Sequence, residues 1–171
     1  MERHFRQIRS QVGILAIGLA FGACLPAETY QILPAPDTNF TLKVYKTGLL
    51  SGKVHIFEFE RYAGESEYAE GRPEDWELNF TVESDSLLLK DEWVSKKDFP
   101  KVIKEARLKI LDVENHPTMK FVSCSVSSTS DGKYDVLGDL TIRGISRPST
   151  VQIRVAGAAC ILQVDGSSVV N

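Results

Sequence analysis

Residues 134–148 read YDVLGDLTIRGISRP and carry the clearest structural pattern in the chain. Val136, Leu140 and Ile142 recur at even spacing, so a pleated strand would place all three on one face. The polar residues between them would fall on the opposite face, which is typical of a strand with one buried side. The stretch therefore predicts a β-strand whose inward side carries these three apolar residues.

Two glycines and a proline divide the same stretch. Gly138 and Gly144 interrupt the alternation at points where a sheet can bend or bulge. Arg147-Pro148 is expected to end the structure, because proline lacks the N–H group that a central ladder requires. We therefore expect a strand, a kink at glycine, a second strand segment and then a turn.

The whole chain has the composition of one globular domain. Of its 171 residues, 43% are hydrophobic and 25% are charged, which favours a single folded core over disorder. The net charge is −3, and residues 28–171 alone carry a net charge of −5. Nucleic acid is not an expected partner, because neutralising phosphates requires clustered basic side chains.

The N-terminus has the form of an export signal. Residues 1–10 are basic, and residues 12–23 form an apolar run that is too short to span a bilayer comfortably. Ala27 offers a small residue at a cleavage position. We predict that residues 1–27 are a signal peptide, that residues 28–171 are the mature domain, and that the protein is periplasmic or secreted.

Cys24 leaves a second outcome open for the same segment. The residues FGAC at 21–24 resemble a bacterial lipobox, in which the cysteine is lipidated and becomes the first residue. The protein would then be a membrane-anchored lipoprotein, tethered through Cys24. An N-terminal membrane anchor that is never cleaved is the remaining alternative.

Export would allow disulfides, and Cys124 and Cys160 would both survive processing. Both lie in strand-like segments, so they pair only if those segments are neighbours. A pair of buried free thiols is the favoured interpretation. No Cys/His cluster has the spacing of a zinc site, so neither a metal nor another cofactor is expected.

Short alternating runs recur along most of the chain and predict about eight strands. They cover residues 29–33, 40–45, 52–60, 76–82, 86–89, 118–128, 134–148, 149–155 and 158–164. In one run, Val54 and Ile56 compete with Phe57 and Phe59 for the inward face, which predicts a bulge near Ile56-Phe57. His55 is then expected to face solvent, with contact to a ligand head group as the less favoured alternative.

Two other segments differ from this pattern. Residues 62–75 are polar and contain glycine and proline, which predicts a loop or a ragged hairpin end. One helix is predicted after residue 95, with a capping-box spacing from Ser95 to Asp98 and a second start at Asp98-Phe99-Pro100. Its apolar stripe consists of Phe99, Val102, Ile103, Ala106 and Ile110. An ordinary solvated face explains its basic residues better than docking to anionic lipid does.

Alternating strands with a single helix indicate an all-β fold, either an antiparallel barrel or a sandwich. The inward faces carry more large aromatic side chains than a thin core requires. A barrel of about eight strands either fills with side chains or holds one small ligand. The pattern alone leaves both possibilities open.

Two segments identify a family resemblance. They are LDVENHPTMKFVS at residues 111–123 and GDLTIRGISRP at residues 138–148, and together they resemble the signature of the YceI-like family. The resemblance spans about residues 30–155 and is most specific in the second half. It implies a lipocalin-like, extended antiparallel β-barrel in a secreted or periplasmic protein.

The resemblance also implies a ligand and an incomplete C-terminus. Some family members hold a polyisoprenoid or an isoprenoid-quinone-like chain lengthwise in the barrel, and no catalytic residues accompany the fold. Family members usually continue with a further closing strand, whereas this chain stops at Asn171. We therefore expect a member with a truncated or a divergent C-terminus, and without the closing strand the barrel would have an unpaired edge.

The predicted function is non-catalytic binding of a polyisoprenoid or a related long-chain amphiphile inside the barrel. The predicted lining residues are Phe40, Leu42, Val44, Phe57, Phe59, Trp76, Leu78, Phe80, Phe121, Val136, Leu140 and Ile142. The alternatives are an envelope stress or interaction protein without a ligand, and an enzyme acting on an isoprenoid or quinone. A hydrolase built on Ser123, His116 and Asp112 is disfavoured, because they lie in no nucleophile elbow. A homodimer remains an open alternative.

Overall fold

The computed structural model describes residues 27–34, 38–45, 53–130, 132–158 and 161–167. The strands are β1 (Glu28–Ile32), β2 (Phe40–Tyr45), β3 (Val54–Phe59), β4 (Tyr62–Tyr68), β5 (Glu77–Glu83), β6 (Leu87–Leu89), β7 (Thr118–Ser130), β8 (Lys133–Ile142), β9 (Ile145–Ala158) and β10 (Ile161–Ser167). Helix α1 (Phe99–Glu105) continues as a π-helical segment (Ala106–Leu111), and Pro73–Asp75 and Ser84–Ser86 are 3₁₀ turns. The predictions about the signal segment, Cys24, Gly52 and Cys160 lie outside the described residues.

The strands form two antiparallel sheets, as an all-β fold with one helix predicts. The larger sheet has the order β1-β4-β5-β7-β8-β9-β10, and the smaller one has the order β2-β3-β6. Ten strands are described, where the sequence predicted about eight. The chain passes between the two sheets three times. In each of the consecutive pairs β1 and β2, β3 and β4, and β5 and β6, one strand belongs to the larger sheet and the other to the smaller one.

The additional strand β4 corrects the loop predicted for residues 62–75. Its half-buried positions are Tyr62, Gly64, Ser66 and Tyr68, so a glycine and a serine interrupt the run of large side chains at its centre. At Gly64, an added Cβ would lie 2.6 Å from the Asn79 carbonyl oxygen and 3.0 Å from the Phe80 ring. The strand therefore fits closely against β5 at this point because Gly64 has no side chain.

The bulge predicted near Ile56-Phe57 is absent, because β3 pairs with β2 in unbroken register from Val54 to Phe59. His55, Phe57 and Phe59 are all buried and share one face. The prediction that His55 faces solvent was therefore wrong. Histidine is a polar residue type, so the sequence pattern placed Val54 and Ile56, rather than His55, on the inward face at the start of β3.

A bulge does occur between β7 and β8, at Cys124. The register passes from Ser123 opposite Gly138 to Ser125 opposite Leu137, so Cys124 is the additional residue. Its side chain is exposed and its thiol is free, which corrects the expectation of a buried thiol. Gly138 lies opposite Ser123, directly beside this bulge, and the backbone of β7 approaches it closely.

The hairpin between β8 and β9 turns at Arg143 and Gly144, whose φ angles are 53° and 70°. Pro148 does not end the structure as predicted, since it lies within β9 opposite Asp139. The described part of β10 pairs with residues 152–158 of β9, so this pairing reaches no further along β9 than Gln152. Pro148 therefore lies on an edge portion of β9, where its missing N–H group costs no described ladder bond.

The helix begins at Phe99 after Asp98, as the second predicted start requires. The predicted apolar stripe fails at its end, because Ile110 is exposed and Leu111 is buried. The π-helical turn explains this shift, since its five-residue repeat places Leu111 rather than Ile110 above Ala106. Ala106 and Leu111 then pack into the same buried cluster as Phe57 and Phe59.

We expect the substitution Gly138→Ala to lower the free energy of unfolding by about 1–3 kcal/mol, as overpacked cores do. An added Cβ would lie 2.3 Å from the Val122 carbonyl oxygen and 2.7 Å from the Phe121 ring. Asp139→Ala, at the exposed neighbouring position, is the control and should change stability by less than about 0.5 kcal/mol. Urea denaturation measures both, and equal losses would contradict the close approach at Gly138.

Candidate functional site

The predicted lining residues all lie in one of two apolar clusters. The first cluster contains Phe40, Leu42, Val44, Phe57, Phe59, Phe80 and Ile142. The second contains Trp76, Leu78, Phe80, Phe121, Val136 and Leu140. Phe80 belongs to both, so the two clusters meet at its ring.

The burial of these twelve side chains separates them into two groups. Phe57, Phe59, Trp76, Phe121 and Val136 are buried. The other seven are half-buried, and none is exposed. Neighbouring residues such as Val122 and Leu137 are exposed on the opposite face, so the predicted inward and outward faces are correctly assigned. Contact of the inward face with a ligand stays a prediction.

Aromatic rings connect the two sheets at the junction of the clusters. The Phe80 ring on β5 lies 5.3 Å from the ring of Phe40 on β2 and 5.6 Å from that of Tyr62 on β4. Phe40 in turn lies 5.8 Å from Phe59 on β3. The contact between Phe40 and Phe80 therefore joins the apolar faces of the two sheets.

A second aromatic group closes one end of the larger sheet. The Trp76 ring lies 4.6 Å from Tyr68 and 4.3 Å from Tyr134, and its Nε1 donates to the Ala69 carbonyl oxygen at 2.6 Å. Burial raises the pKa of the Tyr68 phenol, with smaller contributions from Tyr134 and Glu70. Trp76 is therefore fixed in orientation at this end of the apolar face.

The opposite end of the apolar face, at the start of β3, contains a buried polar pair. His55 Nδ1 and Asp91 Oδ2 are 2.5 Å apart, and the Asp91 side chain is fully buried. Asp91 Oδ1 also accepts a hydrogen bond from the Ile56 N–H group at 2.7 Å. The Lys90 N–H group donates to the Ile56 carbonyl oxygen at 2.9 Å. Ile56 is therefore bonded to the backbone after β6 through its carbonyl group and to the Asp91 side chain through its N–H group, so Asp91 extends the hydrogen bonding between β3 and β6 beyond the end of β6.

Trp93 covers this pair from the outside. Its ring centroid lies 5.0 Å from that of His55, and its Nε1 donates to the Val54 carbonyl oxygen at 2.8 Å. The Lys53 ammonium lies 5.2 Å from the centroid of the same indole, within range of a cation–π contact. Trp93 remains 41% exposed, so it forms a boundary between the pair and solvent.

A cavity of about 390 Å³ shares only Trp76 with the predicted interior. It is lined by Glu74, Asp75, Trp76, Glu77, Ser123 and Cys124, which makes it a mainly polar depression beside the β7 bulge. There the Leu78 N–H group donates to Ser123 Oγ at 2.8 Å in place of a backbone partner. No group of three or more potential metal ligands occurs within the described ranges.

The disfavoured hydrolase arrangement does not form a hydrogen-bonded relay. Ser123 Oγ is the acceptor for the Leu78 N–H group on β5. His116 Nε2 lies 3.9 Å from Asp112 Oδ2 in the turn after the helix, where the His116 ring is close to Gly144. His116 therefore has a local role in that turn.

Sequence reasoning missed Asp91 and Trp93. Asp91 follows the apolar run of β6 directly, and its pairing with His55 joins residues 36 positions apart. A lone aspartate after a strand gives no sequence signal of burial. The signal that was available is the histidine itself, which lies at an even spacing from Phe57 and Phe59.

The two clusters, joined through Phe80, define the chain as an antiparallel β-protein with a continuous apolar interior. Comparison with known families agrees with this architecture. The model of the family described as "YceI-like domain" matches residues 30–171. The chain therefore belongs to the YceI-like family.

Similar proteins support the same assignment. A UPF0312 protein of Pseudomonas savastanoi pv. phaseolicola is 31% identical over 154 residues, which cover 88% of this chain and 74% of the relative. A UPF0312 protein of Vibrio vulnificus is 28% identical over 156 residues, covering 85% and 74%.

Solved structures share the fold at lower identity. Burkholderia cenocepacia BcnA gives a TM-score of 0.57 at 22% identity, with 65% of each chain covered. A mutant YCEI protein of Campylobacter jejuni gives 0.53 at 15% identity, covering 77% of this chain and 74% of that chain. Within the described ranges, no helix has the length and apolarity needed to cross a membrane.

We expect Asp91→Ala to lower the free energy of unfolding by about 3 kcal/mol. The substitution leaves the His55 ring and the Ile56 N–H group without their acceptor, and each buried group left unpaired costs about 1–3 kcal/mol. Asp139→Ala, at an exposed strand position, is the control and should change stability by less than about 0.5 kcal/mol. Urea denaturation curves that coincide for the two variants would contradict a structural role for the pair.

Proposed function

We propose that this protein binds a polyisoprenoid or a related long-chain amphiphile in its apolar interior, without chemical transformation. The observation that carries the proposal is the meeting of the two apolar clusters at Phe80. This contact provides one apolar face that extends from the start of β3 to the start of β5. A long chain could be held along such a face without any polar recognition motif.

The energetics favour a ligand of this kind. Burying each methylene group contributes about 0.8 kcal/mol before the costs of ordering the chain and the protein. Seven of the predicted lining side chains are half-buried, and they offer apolar surface that a ligand can cover. Binding is then expected to increase with chain length, since each isoprene unit adds apolar area.

The main competing function is that of an interaction or envelope stress protein whose interior is filled by its own side chains. The position of the 390 Å³ cavity favours this alternative, because its lining shares only Trp76 with the predicted interior. An enzyme acting on an isoprenoid or quinone is a third candidate. The three functions make different predictions for lipid extracted from the purified protein.

We expect protein purified from the cell envelope to carry a co-purifying isoprenoid lipid. Native mass spectrometry followed by solvent extraction measures the lipid, its stoichiometry and the oligomeric state. Absence of any apolar ligand would reject the binding function and favour the filled interior. A lipid that is chemically altered during incubation with the protein would favour the enzyme.

The variant Phe80→Ala tests whether the junction of the clusters contributes to binding. Removing the ring opens the contact between the two apolar faces, so the affinity for a long prenol should fall by about tenfold, a loss of about 1.4 kcal/mol. Quenching of tryptophan fluorescence by a prenol reports the dissociation constant, and Val122→Ala on the exposed face is the control. An unchanged affinity in a folded Phe80→Ala variant would place the ligand elsewhere.

We also propose export, with the periplasm or the exterior as the destination. Expression of the full chain in a Gram-negative host should yield a mature protein that starts at Glu28, which intact mass spectrometry detects. A lipidated product starting at Cys24 would partition into detergent and would disappear in Cys24→Ser. Retention of residues 1–23 in the purified protein would contradict export by cleavage.

A further inference from the structure

The buried pair at the start of β3 fixes the hydrogen-bonding state of one histidine. The Asp91 carboxylate accepts from the Ile56 N–H group through Oδ1 and contacts His55 Nδ1 through Oδ2. A carboxylate can only accept, so Nδ1 carries the proton in this contact. The other ring nitrogen, Nε2, then has a free lone pair in the neutral imidazole.

Nothing described in the structure occupies that lone pair. The hydrogen bond recorded for His55 uses Nδ1, and the described part of the chain contains no fully buried side-chain nitrogen or oxygen without a partner. Nε2 is therefore accessible rather than sealed in the core, although His55 as a whole is only 8% exposed. A small polar group that approached it could form a hydrogen bond.

The position of His55 connects this nitrogen to the apolar interior. His55 shares the buried face of β3 with Phe57 and Phe59, and its ring lies 6.0 Å from that of Phe57. Val44 lies opposite His55 on β2 and packs against the same apolar cluster. His55 is thus the polar end of an otherwise apolar row, with Trp93 beside it as a wall.

We propose that His55 and Asp91 form the head-group subsite of the interior, and that the ligand's polar end is a hydroxyl group, as in a prenol or a prenylated phenol. This inference rests on the proposed lipid-binding function. The hydroxyl donates to His55 Nε2 while the hydrocarbon follows Phe57 and Phe59 toward Phe80. Asp91 acts as a positioning residue, since it sets which ring nitrogen carries the proton.

The chemistry of the pair argues against other head groups. A ketone, an aldehyde or an ether has only acceptor oxygens, and these would face the lone pair of Nε2. An anionic head group would be repelled by the buried carboxylate of Asp91. The Lys53 ammonium does not offset this repulsion, because it lies over the outer Trp93 ring. A hydroxyl is the uncharged head group that can donate to this nitrogen.

The substitution Asp91→Asn tests the proton position directly. Ile56 holds the acceptor oxygen of the side chain, so the amide nitrogen of Asn takes the place of Oδ2 and donates to Nδ1. The ring proton then moves to Nε2, which becomes a donor. Asp139→Asn, at an exposed position on β8, is the matched control.

The probes are three lipids with the same nonaprenyl chain: the alcohol, its methyl ether and its aldehyde. The native protein and Asp139→Asn should bind the alcohol about threefold to tenfold more tightly than the other two, the effect of one hydrogen bond. In Asp91→Asn this preference should disappear, because all three oxygens can accept from Nε2–H. Tryptophan quenching and competition between the lipids measure the ratios.

The outcomes separate the subsite from the binding function. Equal affinity for all three lipids in the native protein would overturn the subsite while leaving lipid binding intact. A preference for the aldehyde in the native protein would also overturn it, because Nε2 would then be the donor. Failure of the native protein to bind any of the three would reject the proposed function itself.

A second measurement covers the case in which Asp91→Asn does not fold. In native protein with ¹⁵N-labelled histidine, the Nε2 resonance of His55 should shift on addition of the alcohol and remain unchanged with the methyl ether. His116→Gln identifies the other histidine signal of the mature chain. A resonance that does not respond to bound alcohol would overturn the subsite.

Discussion

The interior depends on one break in backbone hydrogen bonding, where β3 passes into β4 and β5 passes into β6, each time from one sheet to the other. At this level the Glu83 N–H group donates to the Arg61 carbonyl oxygen at 2.9 Å, and the Arg61 N–H group donates to Ser86 Oγ at 3.2 Å. The Ser84 N–H group donates to the Pro117 carbonyl oxygen at 2.8 Å. Ser84 and Ser86 are buried, so small polar side chains and backbone groups satisfy the break internally.

Ion pairs lie at the surface of this break but contribute little to its stability. The Arg61 guanidinium contacts Glu83 at 2.5 Å and Asp85 at 2.6 Å, and the hydrogen bond that it donates to Glu83 is the largest cause that raises the pKa of Arg61. All three side chains are about half exposed, so solvent screens their attraction and limits its contribution to stability. The buried serines and the aromatic contacts at Phe80 hold the two sheets together.

The sequence predicted those parts of the fold where large apolar side chains alternate. Strand β5 and the inward face of β8 followed from this pattern alone, and the family followed from the segments around His116 and Gly144. Strand β4 was missed because Gly64 and Ser66 interrupt the large side chains on its inward face, and the close packing at Gly64 leaves no room for a side chain. The buried end of the helix was misassigned because a π-turn leaves no local signature in the sequence.

The polar end of the site could not be predicted for a different reason. The pairing of His55 with Asp91 depends on where β3 and β6 lie in three dimensions, and neither residue type indicates burial. The apolar lining could be predicted from the sequence, because the alternation of apolar and polar residues within each strand shows which of its side chains face inward.

The β7 bulge gives this molecule an optical property. Trp76 packs in the second apolar cluster and also lines the outer depression that contains the exposed Cys124 thiol. A single indole thus separates the interior from a position where a chromophore can be attached covalently. The fluorescence of that indole depends on its apolar neighbours on one side. Its excitation energy can be transferred to the attached dye on the other side. The wall of the interior is therefore also a natural donor for energy transfer.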